Sequence, residues 1–120
     1  MSNKLPRIFN VNWFRKSQDG KWLWPGFGDN ARVIKWIFER TSGKGEASTT
    51  PIGYVPKENA LDLSGLNISK ETLKELTAID VAGWKAETEG LHKYFALFGD
   101  RLPAGITHEL AALEKRLNEM

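Results

Sequence analysis

Trp13, Phe14, Trp22, Trp24 and Phe27 place five large rings within fifteen residues, with Gly26 and Gly28 on either side of the last ring and Asn30 two positions beyond. Rings stack on the faces of flat ligands, glycines clear room for close approach, and a side-chain amide carries both a donor and an acceptor. Such a set suits an aromatic heterocycle held by its faces and read at its edge. In an arbitrary domain large rings more often fill a core. Here the order of residues argues otherwise: Trp13 and Phe14 are consecutive, so in an extended chain they point to opposite faces and cannot both enter one core. One face must meet something else.

Other arrangements carry less. The run "GFGDNA", Gly26 to Ala31, fits the G-x-G-x-x-G/A pattern of dinucleotide-binding turns. Its context excludes that fold: Trp24 and Pro25 precede it in place of a buried apolar strand, and a Gly, Ser and Thr-rich loop follows the next helix in place of a second strand ending in an acid. His92 and His108 have no second ligand at metal spacing, and "HELAAL" lacks the later His of a zinc-protease helix. Both read as surface histidines. Glu109, Glu114, Lys115 and Arg116 read as the solvated face of the last helix. No serine stands in a nucleophile elbow and no carboxylate pair stands out for acid–base work. The sequence offers no catalytic set of its own.

The elements that must position the rings follow from pattern. "RIFNVNWF" is rich in β-branched and aromatic residues and "SQDGKW" supplies an Asp19-Gly20 turn, so Arg7 to Leu23 is expected to form a hairpin. A lone hairpin is marginal in water, and nothing later reads as a convincing strand. The expectation is therefore a hairpin belonging to a larger sheet. Asp29 or Asn30 is a good N-cap for a helix carrying Val33, Ile34, Ile37 and Phe38 at helical spacing until Thr41-Ser42-Gly43 stops it. From Lys44 to Pro56, two prolines and two glycines flank a short apolar patch, which reads as an ordered surface crossing. Ile68 and Leu73 bracket Ser69 as a staple around an N-cap, opening a helix to about Ile79. Asp80 caps another that carries Trp84, Leu91, Tyr94, Phe95 and Phe98, and "FGDRLP" breaks it. A last helix from about Ala104 aligns Leu110, Leu113 and Leu117 on one face. The expected class is α+β, an N-terminal hairpin followed by four α-helices. Three segments are expected: 1–43 on the ligand side, 44–67 as the crossing, and 68–120 as a helical buttress.

A chain of 120 residues supports one compact domain. Its formal charge of +2 creates no strong field for nucleic acid or an anionic membrane. With no cysteine it has no disulfide, no thiolate nucleophile and no Cys-based zinc site, which fits a reducing compartment. No apolar run reaches the roughly 20 residues that span a bilayer, and "MSNKLPR" lacks the apolar middle of a secretory signal. A cytoplasmic location is expected. Eight of the thirteen aromatics fall in the first 38 residues, so binding chemistry is sought early in the chain.

The block "VNWFRKSQDGKWLWPGFGDNARVIKWIFER" resembles a stretch near the C-terminus of GTP-dependent phosphoenolpyruvate carboxykinases. The likeness continues through "TPIGYVP", "LDLSGL" and the helical tail with "FGDRLP", in the same order and over nearly the whole chain. Enzymes of that family are several times longer. They interconvert oxaloacetate and GTP with phosphoenolpyruvate, GDP and carbon dioxide, in gluconeogenesis. The resemblance implies that the aromatic block builds the guanine pocket: Phe14 and Phe27 as stacking rings, Trp22 beside them, Asn30 at the base edge, and Trp13 and Gly28 in support. It implies GTP or GDP as ligand and the rest of the enzyme as partner. It also implies a divalent metal, Mn or Mg, whose ligands lie upstream of the matched region together with the phosphate loop, the lid and a reactive cysteine. Three residues depart from the family's usual pattern: Trp22 for Phe, Asp29 for Glu and Ala31 for Ser. The first could change the width of the pocket; Asp29 is expected still to cap the helix.

Phosphoryl transfer depends on positioning and electrostatic stabilisation by such parts, so this chain alone is expected to be inactive. Stacking contributes roughly 1–3 kcal/mol per base, which without phosphate contacts corresponds to millimolar binding or weaker. Uncovered rings and a hairpin edge invite self-association. A second reading is a free-standing module whose rings hold a peptide or single-stranded nucleic acid. Such a module normally interleaves its rings with more basic residues than Arg15, Lys16, Lys21, Arg32 and Lys35, which favours the nucleotide and argues against nucleic acid as partner.

Overall fold

A computed structural model describes residues 4–120 of the chain. Its elements run in the order α1 (Asn30–Thr41), β1 (Ala47–Thr50), β2 (Gly53–Pro56), α2 (Lys70–Thr77), α3 (Val81–Ala96) and α4 (Ala104–Asn118), with 3-10 turns at Phe27–Asp29 and Gly99–Arg101. The class is α+β with a strand pair and four α-helices, as expected. The strand pair, however, lies elsewhere in the chain.

Between Arg7 and Leu23 the structure forms one antiparallel bridge, Lys16 to Trp22. Around it a tight loop closes through Ser17 N–H to Lys21 O at 2.9 Å and Leu23 N–H to Arg15 O at 3.0 Å. The Asp19-Gly20 turn is therefore real, with Gly20 at φ 80°, but the ladder does not extend beyond it. The regular strands fall in the stretch expected to be an irregular crossing. β1 is the short run Ala47-Ser-Thr-Thr, and Pro51 and Ile52 join it to β2. A two-residue connection leaves only an antiparallel pairing, and the Thr50 hydroxyl donates to Gly53 O at 2.6 Å to close the turn. Proline hid this hairpin from sequence pattern, yet Pro51 stands in the turn and Pro56 ends its strand, where a missing N–H costs little.

The chain divides into two compact units. One runs up to Ser48 and resumes at Tyr54–Ala78; the other comprises Thr49–Gly53 and Ile79–Met120. In the first, Leu23, Trp24, Trp36 and Leu73 are buried. Trp36 meets Phe9 edge-on at 6.2 Å and donates its indole N–H to Glu46 O at 2.9 Å. The Ser69 hydroxyl accepts the Thr72 N–H and so caps α2 as expected. At the other end of α2, Arg15 Nη1 donates to Leu76 O at 2.9 Å and Ala78 O at 3.2 Å, satisfying carbonyls that a helix leaves without partners.

In the second unit α3 and α4 pack together, with Leu110 and Leu117 buried and Leu113 half-buried on the expected face. The Asp80 carboxylate accepts the Gly83 N–H and caps α3. His92 Nε2 lies 2.7 Å from Glu114 Oε1, and Arg116 Nε donates to Pro51 O at 2.8 Å. Two side chains expected on a purely solvated face thus make tertiary bonds. Among the described residues no helix is long and apolar enough to cross a membrane.

Candidate functional site

From Asn12 to Gln18 exposure alternates residue by residue: Trp13, Arg15 and Ser17 are half-buried, while Phe14, Lys16 and Gln18 face out. Residues 13–14 and 18–19 lie in turns and not in a strand, and Arg15 between them supplies the anchor. Its guanidinium turns inward to cap α2, while its neighbour Phe14 faces outward. The Phe14 N–H is held by Asn12 Oδ1 at 3.0 Å. The Phe14 side chain is 73% exposed. Trp13 is half-buried and Phe14 exposed, but they stand on a turn and not on the extended backbone from which opposite faces were expected.

The Lys16 to Trp22 bridge brings Trp22 back alongside. Phe14 and Trp22 meet edge to face with centroids 6.0 Å apart, and the Lys16 ammonium sits 4.3 Å from the Trp22 ring centre. Trp22 is 57% exposed. Its outer surface remains open to a ligand.

Phe27 stands on unusual backbone. Gly26 has φ 80° and Phe27 itself φ 48°, the one non-glycine in the left-handed region among the described residues. That region costs an L-residue roughly 1–2 kcal/mol. The ring is also 96% exposed and makes no ring contact among the described residues. A large apolar side chain held outward on strained backbone contributes nothing to the core, and strain of this kind clusters at ligand clamps. Gly28, next along, is exposed, and a Cβ there would meet nothing within 4 Å.

Asn30 is the first residue of α1. Its Oδ1 accepts the indole N–H of buried Trp24 at 2.9 Å. Asp29 precedes it but makes no capping bond to the helix. Its carboxylate is taken instead by Arg32 Nε at 2.9 Å, because a 3-10 turn runs into α1 and leaves Asp29 with helical dihedrals, which aim its side chain away from the first-turn N–H groups. The expectation that Asp29 caps α1 is corrected accordingly. The structure thus brings Phe14 and Trp22 together, sets Phe27 outward at a glycine-flanked turn, and places Asn30 at the start of α1 behind that turn. Trp24 is the residue that sequence reasoning placed among the rings without a role. The signal was present as the spacing Trp24 to Asn30, but an indole–amide bond across a Pro-Gly turn has no sequence signature.

The cations around the rings are already engaged. Arg15 is on α2 carbonyls; Arg32 also reaches Asp62 O at 2.6 Å; Lys35 pairs with Asp62 at 3.5 Å and Lys21 with Asp19 at 3.2 Å. The Asp62 carboxyl is held below its usual range, first by the Ser64 hydroxyl and then by the Ser64 N–H, with Lys35 adding to the effect. The Asp19 carboxyl is lowered mainly by the Ser17 hydroxyl and by Lys21. Among the described residues no three His, Cys, Asp or Glu side chains gather as a metal would require. The second unit carries an apolar groove of about 340 Å³ lined by residues including Trp84, Leu91 and Leu113; it holds no amide or glycine turn to read a ligand edge.

Residues 1–116 match the family described as "Phosphoenolpyruvate carboxykinase C-terminal P-loop domain". Among curated proteins, the chain is 51% identical over 117 residues to the phosphoenolpyruvate carboxykinase (GTP) of Chlamydia caviae, covering 97% of this chain and 20% of that protein. It is 48% identical over 118 residues to the protein of the same name from Treponema pallidum subsp. pallidum, covering 98% of this chain and 19% of that protein. The chain spans about a fifth of the length of the curated relatives it matches.

Proposed function

This chain belongs to the GTP-dependent phosphoenolpyruvate carboxykinase family, and from that membership we propose that it supplies the guanine-binding side of the nucleotide site in an enzyme converting oxaloacetate and GTP to phosphoenolpyruvate, GDP and carbon dioxide. Phe14 and Phe27 stack on the base, Trp22 flanks it, Asn30 reads its edge, and Trp13 and Gly28 support the cleft. The observation that carries this reading is Phe27, an almost fully exposed ring held outward on left-handed backbone beside two glycines. Neither the core nor helix α1 explains it.

The segment 1–43 is the ligand-facing part, 44–67 the connection and 68–120 the helical support. The metal of the reaction, Mn or Mg, has no ligand set among the described residues. The reaction is a decarboxylating phosphoryl transfer of gluconeogenesis, placed in the cytoplasm, and it needs phosphate-positioning groups that the cations around the rings do not provide. The isolated chain is therefore inactive as a carboxykinase while retaining weak base recognition.

The test is a tryptophan-fluorescence titration with GTP, GDP and ATP, corrected for nucleotide absorbance and repeated with Phe27→Ala. Quenching by both guanine nucleotides at millimolar levels, weaker with ATP and lost in the variant, is expected. Equal quenching by all three, or quenching unchanged by Phe27→Ala, would overturn the assignment.

A further inference from the structure

An indole N–H can only donate a hydrogen bond. The amide atom that Trp24 meets at 2.9 Å must therefore be the Asn30 oxygen, and the two-fold ambiguity of a side-chain amide is resolved by its partner. Trp24 is 6% exposed, so the indole cannot swing away without opening the core beneath it. The Asn30 nitrogen has no partner among the described residues, and no buried side-chain nitrogen or oxygen among them lacks one. The amide N–H2 is consequently not buried and is available to donate outward, while the oxygen is held on the indole behind it.

Resting on the base-site reading above, we propose that Trp24 is a positioning residue for purine selectivity: its indole N–H locks the Asn30 amide with the donor side outward, favouring a base that presents an oxygen over one that presents an amino group at the same edge. Guanine and hypoxanthine carry a carbonyl at that edge. Adenine carries an amino group there, and an N–H2 facing an N–H2 leaves both donors unsatisfied, a penalty of about fivefold or more. Without Trp24 the amide is free to turn over and offer its oxygen to adenine. Selectivity then falls although no atom touching the base has changed.

The experiment uses saturation-transfer NMR on the 120-residue chain, which reads millimolar binding, with GTP, ITP and ATP as probes. The unmodified chain is expected to prefer GTP and ITP over ATP. Trp24→Phe, which keeps a ring in the core and removes only the donor, is expected to cut the GTP-to-ATP preference about fivefold or more while leaving GTP-to-ITP unchanged. Asn30→Asp keeps an acceptor for Trp24 and turns the outward donor into an acceptor, so GTP should lose and ATP gain. Because Asn30→Asp leaves the core untouched, it reports even if Trp24→Phe fails to fold. The Trp24 indole proton is followed in the unmodified chain as well: it should stay protected from solvent exchange when GTP is added.

If Asn30→Ala leaves the GTP-to-ATP ratio unchanged, or the unmodified chain shows no preference, the base-site reading fails and the inference with it. If Asn30→Ala abolishes the preference but Trp24→Phe retains it, or the indole proton loses protection on binding, the inference alone fails.

Discussion

At the scale of single residues, Phe27 separates stability from binding. Its ring buries nothing and its backbone is strained, so a glycine at 27 relieves the strain, partly offset by the roughly 0.5–1 kcal/mol that glycine's extra freedom costs on folding. Phe27→Gly is expected to unfold in urea no earlier than the parent and about 1 kcal/mol later than Phe27→Ala, which keeps the left-handed backbone; both should lose nucleotide quenching. A Phe27→Gly variant clearly less stable than the parent would mean that the ring packs against the protein in solution. Asp62 gives a pH counterpart. Its carboxyl titrates below the usual range because Ser64 donates to the ionised form, so the contribution of this loop is present above the unfolded carboxylate range near pH 4 and is lost as pH falls through the lower folded value. A carbon-13 titration should show Asp62 protonating late, and Ser64→Ala should move it back towards the ordinary range. An unmoved midpoint would remove Ser64 as the cause. What sequence revealed at this scale was residue type; the extended chain expected to set Trp13 and Phe14 on opposite faces is a turn. What it could not reveal was partnership, because Arg15 reaches α2 across more than sixty residues and Trp24 reaches Asn30 around a turn.

Among the elements, the caps of α2 and α3 were legible, while the cap of α1 and the strand pairing were not. Ser69 and Asp80 cap their helices where pattern placed them, because an N-cap bond spans only three residues. Pairing at 16–22 and at 47–56 depends on how far a ladder continues, which tertiary surroundings decide. The cap on α3 makes a contrast within one helix. Gly83 and Gly90 both lie inside α3, where Ala is ordinarily about 0.5–1 kcal/mol better. A Cβ at Gly90 would meet nothing within 4 Å, whereas at Gly83 it would collide with the capping carboxylate of Asp80. Gly90→Ala should therefore stabilise by that amount in thermal unfolding. Gly83→Ala should bring no gain and up to about 1 kcal/mol of loss as the cap is displaced. Equal stabilisation by both would show that Asp80 caps α3 from another rotamer.

For the molecule as a whole, the engaged cations set what kind of affinity it can have. Two stacking rings and one amide supply at most a few kcal/mol, the range of millimolar binding. Phosphates would add to this only through free positive groups or an N–H nest. Around the rings Arg15, Arg32, Lys35 and Lys21 are each bonded to carbonyls or carboxylates, and Lys16 lies on the Trp22 ring. Guanosine, GMP, GDP and GTP should therefore bind this chain within about threefold of one another, and the affinity should change little between low and moderate salt because few ion pairs form. The same open rings provide an apolar surface for self-association, which saturating guanosine should weaken by covering Phe14 and Phe27, and light scattering at tens of micromolar with and without the nucleoside reads both effects. A steep gain from guanosine to GTP, lost in salt, would place a phosphate site on this chain. A monodisperse monomer at that concentration would overturn the self-association.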